Sequence, residues 1–384
     1  MNQVVILAGG HGNRMKAAIP KPMLQVLDVP MLGWVIRACE GAGLSRICVV
    51  TGYKAQYVEL YLGDRYRTAL QAEQLGTGHA VMQAEKFMKE FTDGNTLVLC
   101  GDAPFMDSET IANALKLHEA QENAVTVITA NLEQPKGYGR ILRTETGIAA
   151  IVEEKDATEA QREIHEVNSG AYWFKTKALL ELLGGLSQSN AQGEYYLTDT
   201  VGLALERGWK ASAYRSENPD VILGANTRKD LLHLNKVAQE RVLDKHMENG
   251  VNFVSTDGII IGNDVEIGAE TTILPGTILR GKTKIGAKCT IGPNCLIEDC
   301  RIGDHVTLNY VQAFESDRRC GQGWSVRSYP SELAPQERRQ DRRLRRGQEL
   351  HRRRADRHRT PHLCGRQRCG QEGKLRLRYR YSKL

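Results

Sequence analysis

From Met1 to about Asp220, short β-rich runs alternate with segments whose apolar residues recur at helical spacing. VVILA (4–8), RICVVTG (46–52), TLVLC (96–100) and AVTVITA (124–130) read as strands. MLGWVIRACEGAG (31–43), GHAVMQAEKFMKEF (78–91) and SETIANALKLHEAQ (108–121) read as helices. This alternation predicts an α/β fold with a largely parallel, doubly wound sheet and helices on both faces, and it puts ligands at the carboxyl ends of the strands. Between Asn226 and Gly250 the residues Leu231, Leu234, Ala238 and Val242 keep a helical period in a polar segment. With a cap at Asn226 or Thr227 and a stop at Gly250, this is one long connecting helix.

Beyond that helix the period changes to six. Ile261, Ile267, Ile273, Leu279, Ile285, Ile291 and Ile297 stand six residues apart, and Gly262, Gly268, Gly286 and Gly292 follow four of them. After a slip of one residue the pattern reaches Ile302 and Leu308. Such a repeat predicts a parallel β-helix whose aliphatic residues fill the interior and whose coils need stacked neighbours. The pattern stops past Phe314. The expected division is therefore 1–225, a connecting helix over 226–250, a partial β-helix over 251–314 and a tail over 315–384.

The charge follows the same boundary. The 384 residues carry a net +6, but residues 1–314 hold 31 Lys and Arg against 38 Asp and Glu, while 315–384 hold 21 against 8. The basicity belongs to the tail, which is expected to be disordered. Three explanations compete for it: an out-of-frame remnant, a nucleic-acid-binding arm, and a zinc site from His358, His362, Cys364 and Cys369. For the first, Gln340 to Arg346 can be encoded so that a one-nucleotide shift yields the solenoid hexapeptide KIGDFV. Nucleic acid is not the expected partner. No stretch approaches the ~18 apolar residues of a membrane span, and the apolar run Val4–Ala8 is too short for a signal-peptide core. Nine cysteines without a CxxC pair fit free thiols in the cytosol.

Candidate chemistry begins at LAGGHGNRM (7–15), after the first strand. Gly9, Gly10 and Gly12 let a backbone approach a phosphate chain, and Arg14 and Lys21 add fixed positive charge. An ordinary Gly-rich strand-to-helix turn is the plainer alternative. A dinucleotide fingerprint fits poorly, because Met15 takes the third glycine position, and a Walker loop lacks its GK[ST]. Asp102 follows the strand TLVLC, where a carboxylate suits a Mg²⁺ ion shared with a triphosphate, although Asp in GDAP also suits a plain turn. QAEQLGTGHA (71–80) offers amides for a nucleobase edge. PKGYGRI (135–141), IVEEKDA (151–157), EVNSGAYWF (166–174) and NAQGEYYLTD (190–199) offer Gly turns beside Tyr, Glu and Asn, which suit sugar hydroxyls. His79 and His165 read as structural.

The LAGG-x-G-x-RM…PKP loop resembles the signature of sugar-1-phosphate nucleotidyltransferases. With QAEQLGTGHA, GYGRI, EEKDAT, VNSG and NAQGEYYLTD in that order, and a hexapeptide β-helix behind a long helix, residues 1 to about 313 resemble the family's bifunctional members. Those join an N-acetylglucosamine-1-phosphate uridyltransferase to a glucosamine-1-phosphate N-acetyltransferase and serve UDP-N-acetylglucosamine and peptidoglycan synthesis. The resemblance implies a Rossmann-like nucleotidyltransferase domain, a short left-handed parallel β-helix, Mg²⁺ as cofactor, and UTP and N-acetylglucosamine 1-phosphate as substrates. Glucose 1-phosphate or dTTP is the alternative within the family.

By the same resemblance Leu7, Ala8, Gly9, Gly10 and Lys21 contact the nucleotide, and Gln71, Gly76 and Thr77 stand where uracil is read. Cys100, Gly101 and Asp102 line the substrate site, Asp102 and Asn226 hold the metal, and Gly139, Glu153 and Asn168 contact the sugar. Arg14, Lys21 and Asp102 carry the catalytic charge. The sequence departs from the family at Gly9, where Ala is usual, at Asn13, where Thr is usual, and at Ala18-Ile19-Pro20, where an acidic variant is common. The acetyltransferase histidine belongs to a segment resembling HLTYVGD, which this sequence lacks in frame, although Thr360 to Gly365 can be encoded so that a one-nucleotide shift yields HLTYV. Neither acetyl transfer nor the intact family's homotrimer is therefore expected.

Overall fold

Alternation of inward side chains sets the first layer. In β1 (Gln3–Leu7), Val4 and Ile6 enter one core while Val5 enters another on the opposite face. The chain continues through the hairpin β2 (Gln25–Val26) and β3 (Val29–Pro30), α1 (Met31–Gly41), β4 (Ile47–Thr51), α2 (Ala55–Leu62), β5 (Arg67–Leu70), α3 (Thr77–Gln83) and α4 (Glu85–Lys89). It then forms β6 (Asn95–Cys100), α5 (Ser108–Ala120), β7 (Val125–Asn131), β8 (Arg140–Thr144), β9 (Gly147–Val152) and α6 (Glu159–Arg162). β10 (Glu166–Lys175), α7 (Thr176–Leu183), α8 (Asp199–Glu206), β11 (Ala211–Arg215) and α9 (Arg228–Glu248) complete the series. The computed structural model describes residues 1–314, apart from His11 and Thr146, and the backbone of Ser325–Val326.

The main sheet runs β11-β7-β10-β6-β1-β4-β5, with β8 on β10 and β9 on β8. Helices α1, α2 and α5 cover one face, and α3, α4, α7 and α8 cover the other, as the alternation predicts. The sheet is mixed rather than largely parallel, because β10 runs antiparallel to both β6 and β7. A strand buried on both faces shows the same apolar run in either direction, so the pattern could not reveal this. The helix expected over 78–91 is two helices that part at Ala84, whose N–H donates to the Val81 carbonyl at 3.0 Å. Val81, Phe87 and Met88 still enter the same core, which keeps the apolar spacing continuous across the break.

The two compact units divide within α9, between Ala238 and Gln239, and not at its ends. Leu234 and Ala238 explain this, since both pack with Met15, Leu24, Val26 and Met31 in the first unit. Thr227 and Asp230 cap the helix reciprocally: Thr227 Oγ1 accepts from the Asp230 N–H at 3.3 Å and Asp230 Oδ2 from the Thr227 N–H at 2.8 Å.

In the second unit, two- and three-residue strands stack in parallel on three faces. Thr272–Ile273 pairs with Thr290–Ile291, Ile278–Arg280 with Leu296–Glu298, and Lys284–Ile285 with Arg301–Ile302. The aliphatic series from Ile261 to Leu308 is buried, so the repeat of six is a β-helix. Ser325–Val326 adds a parallel pair to Arg301–Ile302. An open strand edge accepts any extended backbone, whether or not its side chains keep the period. The remaining tail readings, zinc and nucleic acid included, lie outside the described residues. Among the described residues no helix is long and apolar enough to cross a membrane.

Candidate active site

Two neighbouring strands deliver the site. β1 and β6 lie parallel with Leu7 opposite Cys100, so the glycine loop and Gly101-Asp102 leave the sheet side by side. The Gly101 N–H donates to the Leu7 carbonyl at 2.9 Å, and the Ala8 N–H to the Val50 carbonyl at 2.8 Å, which extends the ladder one residue past β1. The Gly9 carbonyl then accepts from the Tyr53 N–H at 3.1 Å. This approach requires Gly52, where a Cβ would lie 2.6 Å from the Gly9 oxygen.

A cleft of about 350 Å³ opens there, lined among others by Leu7, Gly9, Gly10, Lys21, Gln71, Gly76, Thr77, Cys100 and Asp102. Besides Glu194, its charged lining residues are Lys21 and Asp102. The Lys21 ammonium pairs with the Asp102 carboxylate and donates to Asn226 Oδ1 at 2.9 Å, so the two implied metal ligands converge on one cation. One carboxylate and one amide oxygen suit magnesium, which takes few protein ligands and completes its shell with phosphate and water. No group of three or more His, Cys, Asp or Glu suited to a metal occurs among the described residues.

Elsewhere in the same cleft, Gln71 Nε2 donates to the Gly76 carbonyl at 3.1 Å and meets His79 Nδ1 at 3.2 Å. His79 also stacks on Tyr195 and meets Gln83, a structural role, as does His165 against the Leu132 carbonyl. Thr77 does not cap α3. It is the first helical residue, and its hydroxyl accepts from the Leu197 N–H at 3.0 Å. Burial pushes the Cys100 thiol up to about 12, with Asp102 adding to the effect, so Cys100 is a neutral wall.

A second cleft of about 210 Å³ shares Leu7, Thr77 and Cys100 with the first and adds Gly139, Glu153 and Asn168. Burial raises the Glu153 carboxyl above its ordinary value, while the Thr198 hydroxyl acts the other way. The turn Gly137-Tyr138-Gly139 in its wall is clamped from behind. Arg140, 1% exposed, pairs with Glu154 at 2.8 Å and donates to the carbonyls of Tyr138 and Arg162. Glu154 in turn accepts from the Gly137 N–H at 3.0 Å. That N–H, with Arg140, holds the Glu154 carboxyl below its usual range.

The structure thus brings together most of the residues read from the sequence. Arg14 stands apart, exposed on the turn Asn13–Met15 and outside the lining of both clefts. Sequence reasoning overlooked the Arg140 and Glu154 clamp and the cleft residues Pro22, Tyr138 and Tyr172, although each sits inside a motif it had singled out.

The nucleotidyl transferase family matches residues 3–221, the part of the chain that lines both clefts at the ends of β1 and β6. Bifunctional GlmU proteins of Acetivibrio thermocellus, Thermoanaerobacter pseudethanolicus and Streptococcus agalactiae are 43%, 44% and 40% identical over 71%, 80% and 82% of the chain. The chain belongs to the GlmU family and is a nucleotidyltransferase enzyme. It spans 59%, 66% and 69% of those three relatives' lengths. A Bacillus anthracis structure described as a glucose-1-phosphate thymidylyltransferase superposes with a TM-score of 0.52 at 21% identity, covering 62% of this chain and 95% of that one. At that identity the likeness is one of fold. Domain and relatives together support sugar-1-phosphate nucleotidylyl transfer.

Proposed function

We propose that the first unit transfers a uridylyl group from UTP to N-acetylglucosamine 1-phosphate, giving UDP-N-acetylglucosamine and pyrophosphate. The observation that carries this reading is the Lys21, Asp102 and Asn226 cluster beside the wall shared by the two clefts. The nucleotide occupies the larger cleft, with its base against Gln71, Gly76 and Thr77 and its phosphates on the loop from Leu7 to Gly10. The sugar occupies the smaller cleft, against Gly139, Glu153 and Asn168.

A sugar phosphate loses its second proton near pH 6, so at neutral pH its oxygen attacks the α-phosphorus without a general base. The chain's task is to align two anions and to receive the charge that develops on the leaving pyrophosphate. The glycine-loop N–H groups receive that charge, and Lys21 stabilises the phosphate undergoing substitution. Magnesium, held by Asp102 and Asn226 when bound, supplies charge neutralisation between the two phosphate groups. The test pairs UTP and dTTP with N-acetylglucosamine 1-phosphate and glucose 1-phosphate and identifies the sugar nucleotide formed. UDP-N-acetylglucosamine as the main product supports the assignment; a thymidylyl or glucosyl product overturns it.

A further inference from the structure

β10 carries two polar side chains, Asn168 and Tyr172, into the wall of the smaller cleft. The Gly170 N–H donates to Asn168 Oδ1 at 2.9 Å, which fixes the amide with its NH₂ group toward the phenol. Asn168 Nδ2 then donates to the Tyr172 oxygen at 2.6 Å. The phenol is the acceptor in that bond, so its own proton is left to be donated. Tyr172 is 2% exposed and its ring stacks on Phe174 with centroids 5.8 Å apart. Burial, with the Glu153 charge, raises the phenol well above its ordinary value and keeps it a neutral donor.

A buried hydroxyl proton calls for an acceptor, and this one stands against Asn168 in a cleft wall that Glu153 also lines, both residues assigned to the sugar. We propose that Tyr172 is a further substrate-binding residue: Asn168 orients its oxygen, and the phenol donates its proton to an oxygen of the sugar in the smaller cleft. The proposal rests on the sugar-phosphate reading given above. Tyr172→Phe tests it, because only the hydroxyl is removed and the stacked ring remains.

With UTP and N-acetylglucosamine 1-phosphate, the variant is expected to show a KM for the sugar phosphate raised about five- to tenfold, the loss of one neutral hydrogen bond. Its KM for UTP and its Tm stay at the wild-type values. An unchanged sugar-phosphate KM overturns the proposal. So does a rise in both KM values together with a lowered Tm, since that pattern marks a purely structural hydroxyl. Wild-type turnover is measured first; its absence with every sugar 1-phosphate removes the functional reading itself, independently of Tyr172.

Discussion

Lys21→Met removes one ammonium group from the meeting point of Asp102 and Asn226, and its consequences differ in sign among stability, metal affinity and turnover. The paired side chains of Lys21 and Asp102 are 13% and 28% exposed, so water reaches the freed carboxylate. A pair of this kind contributes up to about 1 kcal/mol to folding, so thermal unfolding moves by only a few degrees. The ammonium competes with a divalent ion for the same two oxygens, so Mn²⁺ binding without nucleotide strengthens roughly fivefold, the equivalent of that 1 kcal/mol. Turnover falls about a hundredfold or more, because a positive group aimed at transition-state charge is worth roughly 3 kcal/mol. Pyrophosphate release coupled to a phosphatase, Mn²⁺ titration by electron paramagnetic resonance, and a thermal melt provide the three readings. Turnover within threefold of wild type, or weakened Mn²⁺ binding, would refute the reasoning.

Three further substitutions address the frame around the clefts. Glu154→Gln leaves buried Arg140 without its carboxylate, so stability falls by about 1–3 kcal/mol in a urea titration and the KM for the sugar phosphate rises while that for UTP holds. Equal changes in both KM values would contradict the clamp. Gly76→Ala puts a Cβ 2.6 Å from the Tyr195 carbonyl at φ +106°, and costs about 2 kcal/mol by the same titration; a loss under about 0.5 kcal/mol would contradict it. Glu153 has a raised carboxyl value when folded, so the folded state holds its proton more tightly than the unfolded chain. Its contribution to stability is present at low pH and is lost as pH rises from the ordinary glutamate value through the raised one. Glu153→Gln removes that decline, and melts of the two proteins across this window should diverge as pH rises; parallel curves would show that Glu153 is not perturbed.

The sequence was legible where one period dominates. The series from Ile261 to Ile297 keeps a repeat of six because each coil buries one aliphatic residue per face, and the coil is closed with one residue fewer before Ile302, which is still buried. The glycine-rich character of this corner was legible because the backbone closes on itself there: a Cβ at Gly52 would lie 2.6 Å from the Gly9 oxygen. What escaped depends on partners distant in the chain. The antiparallel course of β10 is set by its neighbours β6 and β7, and a run buried on both faces carries no mark of direction. Arg140 and Glu154 stand fourteen positions apart, and nothing local distinguishes a buried arginine from an exposed one in GYGRI. Lys21 was read as a phosphate contact, but its placement between Asp102 and Asn226 depends on the segment before α9, which runs beside Asp102 at Gly224.

The most direct measurement is magnesium-dependent pyrophosphate release from UTP and N-acetylglucosamine 1-phosphate by the purified full chain and by Asp102→Ala. The wild-type chain should release pyrophosphate only when magnesium and both substrates are present, and the variant should lose that activity at least a hundredfold. Near-normal release by Asp102→Ala, or none by the wild-type chain with any pyrimidine triphosphate, would contradict the account.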